Sequence, residues 1–90
     1  MSMAAREEKI QEVMEIMDRV SQDMSVPRNI RNAAEEAKEA LTGDEEDPVV
    51  RAASAISILD DVSNDPNIPV HTRTTIWSAL SVLETIKDED

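Results

Sequence analysis

Ninety residues without a cysteine allow one modest core held by packing alone, with no disulfide framework and no thiolate metal site. Twenty acidic against nine basic side chains leave a net charge of -11, and no Lys/Arg stripe offsets it, so nucleic acid and anionic membranes are disfavoured as partners. No apolar run reaches the roughly 18–20 residues that cross a bilayer, and Met1 to Glu8 lacks the basic-then-apolar order of a signal peptide, so a cytoplasmic location is expected.

Four segments carry helical periodicity, separated by turn signals. The first, from about Ala5 to Gln22, sets Ile10, Val13, Met14, Met17 and Val20 on one side. Asp23-Met24-Ser25-Val26-Pro27 ends it, and Pro27 suits the first turn of a second helix capped by Ser25 or Val26. That helix, from about Pro27 to Leu41, aligns Ile30, Ala33, Ala34, Ala37 and Leu41, a stripe of small residues that lets a neighbour approach closely. Gly43 fits a left-handed helix end. After the acidic loop, Asp47 reads as an N-cap with Pro48 at the first helical position. The third helix, from about Pro48 to Ser63, carries Ala52, Ala55, Ile56, Leu59 and Val62. A second proline-marked turn leads to the fourth, from about Pro69 to Ile86, with Ile76, Ala79, Leu80, Leu83 and Ile86.

Displacing the chain by 42 residues lays Ile16 to Asp23 over Ile58 to Asp65, then Ser25-Val26-Pro27 over Asn67-Ile68-Pro69 and Arg31 over Arg73. Stripe residues pair with stripe residues, as a true repeat requires. The expected organisation is one helical domain over residues 1–90, with repeats at about 5–43 and 47–86 and an acidic end at 87–90. Two helical hairpins with short connections pack most simply as an up-down-up-down four-helix bundle. A period near 42 also suits HEAT-type arrays, but these need three or more units for a continuous core.

The stretches Ser25-Val26-Pro27-Arg28-Asn29-Ile30-Arg31, Val50-Arg51-Ala52-Ala53, Ser63-Asn64-Asp65-Pro66-Asn67 and Thr75-Ile76-Trp77 resemble an archaeal family catalogued as uncharacterised protein family 0147. The resemblance runs from about Glu7 to Lys87. It implies a single-domain, all-α four-helix bundle from an archaeon, and it brings no activity, ligand or catalytic residue with it.

Sites of chemistry are scarce. A di-metal carboxylate bundle needs Glu-x-x-His pairs, and Ile68 stands three residues before His71, the one histidine. Asp44 to Asp47 lacks EF-hand spacing and reads as a solvated loop favouring a helix N-terminus. No Ser or Thr has a plausible base partner, and one glycine builds no phosphate loop. Asp18, Asp23, Pro27 and Arg31 recur as Asp60, Asp65, Pro69 and Arg73. An active site seldom needs building twice, so these are expected to tie down turns, either locally or by pairing with the arginine one helix later.

The two halves differ on their outer positions. Glu8, Glu12 and Glu15, then Glu35, Glu36 and Glu39, face Val50, Ser54 and Ser57, then Trp77, Ser78 and Ser81 in the second half. Either a partner covers the second hairpin or its helices are buried more deeply in the chain's own bundle. Trp is enriched in interface cores and Glu depleted. The expectation is a non-enzymatic interaction or assembly module, without cofactor, acting through Val50, Ser54, Ser57, Thr74, Trp77, Ser78 and Ser81, with a second copy or another protein as partner. The alternative is a small-molecule or divalent-metal binder using clustered carboxylates.

Overall fold

The computed structural model describes residues 1–86. The acidic end expected at 87–90 lies outside them. Four helices follow in chain order: α1 (Met3–Ser21), α2 (Arg28–Leu41), α3 (Pro48–Ser63) and α4 (Val70–Glu84).

Helix ends differ from expectation where a cap, rather than periodicity, decides them. α1 starts two residues early because the Ser2 hydroxyl accepts from the Ala5 amide at 3.1 Å. Pro27 and Pro69, expected inside the first turns of α2 and α4, are instead the N-caps, with ψ of 150° and 147°. Their rings fix φ but leave ψ extended, and each carbonyl accepts the first helical bond, from Arg31 at 3.0 Å and Arg73 at 2.9 Å. Asp47 caps α3 as expected, accepting from the Val49 amide at 2.8 Å with Pro48 in the first turn. Gly43 has φ +90°, the left-handed region expected of it, after Thr42 has already turned extended. α4 stops at Glu84, yet Ile86 beyond it is still buried.

The buried faces match the periodic stripes. Ile10, Val13 and Met17 of α1, Ile30 and Leu41 of α2, Leu59 of α3, and Ile76 and Leu83 of α4 join one continuous core. Ala34 and Ala37 are buried on α2, and Ala52 and Ala55 on α3, so these two helices approach closely with little side chain between them.

Each helix touches its neighbours in the chain, and α1 also touches α4 and, diagonally, α3. α2 and α4 share no contact. In a HEAT-type array the second helices of successive units stack, so α2 would lie on α4. The observed contacts instead close a ring, an all-α four-helix bundle with α2 and α4 at opposite corners.

Two arginines are buried among the described residues, Arg6 and Arg51, and the second lies deeper. Arg51 is 4 % exposed, and its guanidinium donates to the Leu41 carbonyl at 3.1 Å, to the Glu46 carbonyl at 3.1 Å and to the Glu7 carboxylate. It thereby joins the end of α2, the following loop, α3 and the first turns of α1. In the sequence Arg51 stands in the stretch Val50-Arg51-Ala52-Ala53 that carries the family resemblance, and no role attaches to it there. The available clue was the end of α2, whose last carbonyls need donors once Thr42 leaves the helix.

Candidate functional site

The recurring residues do make the same turn twice. Asp23 accepts from the Ser25 amide at 2.9 Å, and Asp65 from the Asn67 amide at 2.8 Å. The Val26 amide donates to the Asp23 carbonyl at 3.0 Å, as Ile68 does to Asp65 at 3.3 Å. Ser21 and Ser63 hydroxyls each donate to the carbonyl three residues back, Asp18 or Asp60, at 2.8 Å. The arginines bond to turn carbonyls and leave the aspartate side chains alone: Arg31 donates to Val26 at 3.0 Å and Arg73 to Asp65 at 3.2 Å.

The aspartates are also where the halves part. The Asp18 carboxylate accepts from Lys38 at 2.8 Å and Gln22 at 3.1 Å, whereas Asp60 is exposed and its carboxylate has no hydrogen-bond partner among the described residues. The Lys38 ammonium, by hydrogen bond and then by charge, holds the Asp18 carboxyl below its ordinary value of 3.8. A depressed folded-state pKa stabilises the fold above the unfolded value and loses that contribution as pH falls through the folded value. Asp18→Asn is therefore expected to melt at a lower temperature than the parent at neutral pH. The difference should vanish as the pH drops below the parent's own Asp18 titration, in melts followed by circular dichroism.

Each proline turn also frames a groove with the helix beside it. Between α2 and α3 a groove of about 440 Å³ is lined by Asn29, Ala33, Asp61, Val62 and Asp65, among others. Between α4 and α1 a smaller one, about 120 Å³, is lined by His71, Thr75, Arg19, Val20 and Asp23. Taken in that order, the two sets are the same repeat positions. Both grooves are bridged across the helices: Asn29 Nδ2 donates to Asp65 Oδ2 at 2.6 Å, and His71 Nε2 stands 3.7 Å from Asp23 Oδ2. The Ser25 hydroxyl and amide are the main reason that Asp23 is held below the usual carboxylate range, with His71 adding less. Thr72, in the smaller groove, is buried without a partner for its hydroxyl among the described residues, where the first repeat has the core residue Ile30.

All seven residues of the expected interaction surface, Val50, Ser54, Ser57, Thr74, Trp77, Ser78 and Ser81, are exposed. Their glutamate counterparts Glu8, Glu12, Glu15, Glu35, Glu36 and Glu39 are exposed as well. Deeper burial within the chain therefore does not explain the loss of charge in the second half. Trp77 stands 56 % exposed, with Val50 at 48 % and Val70 at 81 %. The seven do not form one stripe. Ser54 lies one and two turns before Ile58 and Asp61, which line the α2–α3 groove, so it sits on that flank. Ser78 follows His71 and Thr75 of the α1–α4 groove, and Trp77 lies on the opposite side of α4. Among the described residues no three His, Asp or Glu side chains gather to hold a metal ion, and no helix is long and apolar enough to cross a membrane.

The family model described as uncharacterised protein family UPF0147 matches residues 1–86. The chain belongs to this family. A UPF0147 protein of Pyrococcus horikoshii is 55 % identical over 82 residues, covering 90 % of this chain and 88 % of its own length. One from Methanocaldococcus jannaschii is 56 % identical over 81 residues, covering 90 % and 87 %. The crystal structure of a UPF0147 protein from Thermoplasma acidophilum, 39 % identical, superposes with a TM-score of 0.84 over 89 % of this chain and 94 % of that one. A crystal structure of the protein of unknown function MMP1188, 50 % identical, gives 0.85 over 89 % and 91 %.

Proposed function

We propose that this chain is a non-enzymatic assembly module of the cytoplasm, and that it pairs with a second copy of itself through the outer faces of α3 and α4. The observation that carries the reading is the matched exposure of the two halves. At six equivalent solvent-facing positions the first hairpin has glutamate and the second has Trp77, Val50 or serine. Water alone gives no reason to remove charge from one half only, and loss of glutamate together with an exposed tryptophan is the compositional mark of an interface. A chain of net charge -11 repels its own copies, and the weakly charged hairpin is where two can meet with their acidic hairpins turned outward.

Trp77→Glu restores the charge that Glu35 carries at the matching position. It is expected to turn a dimer into a monomer in sedimentation velocity while the melting curve of the monomer stays near that of the parent. A parent that sediments as a monomer at all concentrations would refute self-pairing. In that case a tagged bait capturing one stoichiometric protein, lost in Trp77→Glu, would assign the face to a different partner. A variant that unfolds would place Trp77 among the residues that hold the bundle together and remove the basis of the reading.

A further inference from the structure

We propose that the α2–α3 groove docks a basic segment of a partner protein, with lysine or arginine stems along its floor and their charged ends at its rim. The floor is apolar, made by Ala33, Ile58 and Val62, and the rim carries Glu36, Asp61 and Asp65. Asp65 is already engaged on both oxygens, by Asn29 and by the Asn67 amide, and so belongs to the framework. The carboxylates of Glu36 and Asp61 have no hydrogen-bond or ion-pair partner among the described residues. Glu36 is on α2 and Asp61 on α3, so two free negative charges flank an apolar channel. Long cationic side chains suit that pattern, because their methylenes cover apolar surface while the charged tip stays at the edge.

The second groove of the molecule supplies the comparison. It has the same frame, yet Arg19 stands where the first has Asp61, and Ser78 stands at the position of Glu36. It is also the smaller, about 120 Å³ against 440 Å³. The turn geometry common to both keeps one aspartate, Asp65 or Asp23, but requires neither the two free acids nor the larger opening. Glu36 and Asp61 belong to the α2–α3 groove alone, and they set the charge of its occupant. A single metal ion does not fit the description, since the groove far exceeds an ion in size and too few acids converge.

The test is a titration of the full chain with a capped peptide of alternating lysine and leucine, followed by backbone amide NMR shifts at low salt. Shifts are expected at Ala33, Ile58 and Val62, with affinity falling about tenfold in Asp61→Arg. That variant copies the arginine already present in the other groove, so the frame tolerates it, and Glu36→Ser, copied in the same way, should weaken binding less. Glu12→Arg makes the same change in net charge on the exposed side of α1 and should alter affinity by less than about twofold at matched salt. Equal losses in Asp61→Arg and Glu12→Arg would show bulk attraction only and overturn the proposal. So would spermidine binding as tightly as the peptide, which would make the groove a site for free polyamines. Because Glu36 lies on α2, outside the pairing faces of α3 and α4, sedimentation of Glu36→Ser separates failure here from failure of the self-pairing reading.

Discussion

Replacing Arg51 by alanine is expected to lower folding stability by about 3 kcal/mol, the scale for removing one partner from a buried charged network. For a chain of this size that is roughly a 15 °C drop in melting temperature. The loss arises at the acceptors. The Leu41 and Glu46 carbonyls lose a charged donor at a buried junction, and the vacated volume lies where α1, α2 and α3 meet. Glu7 is 42 % exposed and can turn to water, so Glu7→Gln should cost under about 1 kcal/mol. Thermal melts of the two variants therefore separate two accounts. If Arg51 acts mainly through its ion pair, both will fall alike; if it acts through the carbonyls, only Arg51→Ala will fall far.

Leu59→Ala is expected to cost about 3 kcal/mol, within the range for emptying a fully buried leucine site. Leu59 is 0 % exposed, and so is Met17 at the equivalent position of α1. Met17→Ala should cost a similar amount in urea unfolding, because the two occupy matching places in the core. Ser57→Ala, on the outer side of α3, should stay within about 0.5 kcal/mol of the parent. A Leu59→Ala cost as small as that would mean that the core around α3 collapses to fill the space.

Most of the bundle was legible because its information is periodic. The stripes of Ile10, Val13 and Met17, or of Ile76, Ala79 and Leu83, report a buried helical face wherever they occur, and all of these residues are buried. The helix ends were harder. Asp47-Pro48 was readable because a side-chain acceptor announces a cap, whereas Pro27 and Pro69 cap through backbone carbonyls, which any residue possesses. Arg51 was invisible for a related reason: its partners are two backbone carbonyls and a glutamate distant in sequence.

Of the candidate surface, the exposed positions followed from helical spacing, but their division among flanks did not. The sequence does not say which neighbour each helix flank meets. The two grooves went unread because each joins a turn to a helix from the other repeat, as Asn29 meets Asp65 and His71 meets Asp23. Once the ring is closed, the 42-residue spacing already noticed is enough to pair them.

The closed ring has a kinetic meaning as well. Three of its seams join helices adjacent in the chain through short turns, so each can form after closing only a small loop. Such local topologies fold quickly, and the hairpins can assemble one upon the next without waiting for distant segments. The α1–α4 seam alone must bring the two ends of the chain together, and it is smaller than any of the other three. It is therefore expected to form last and part first, so that amides around the His71 groove should exchange with solvent before those around the α2–α3 groove.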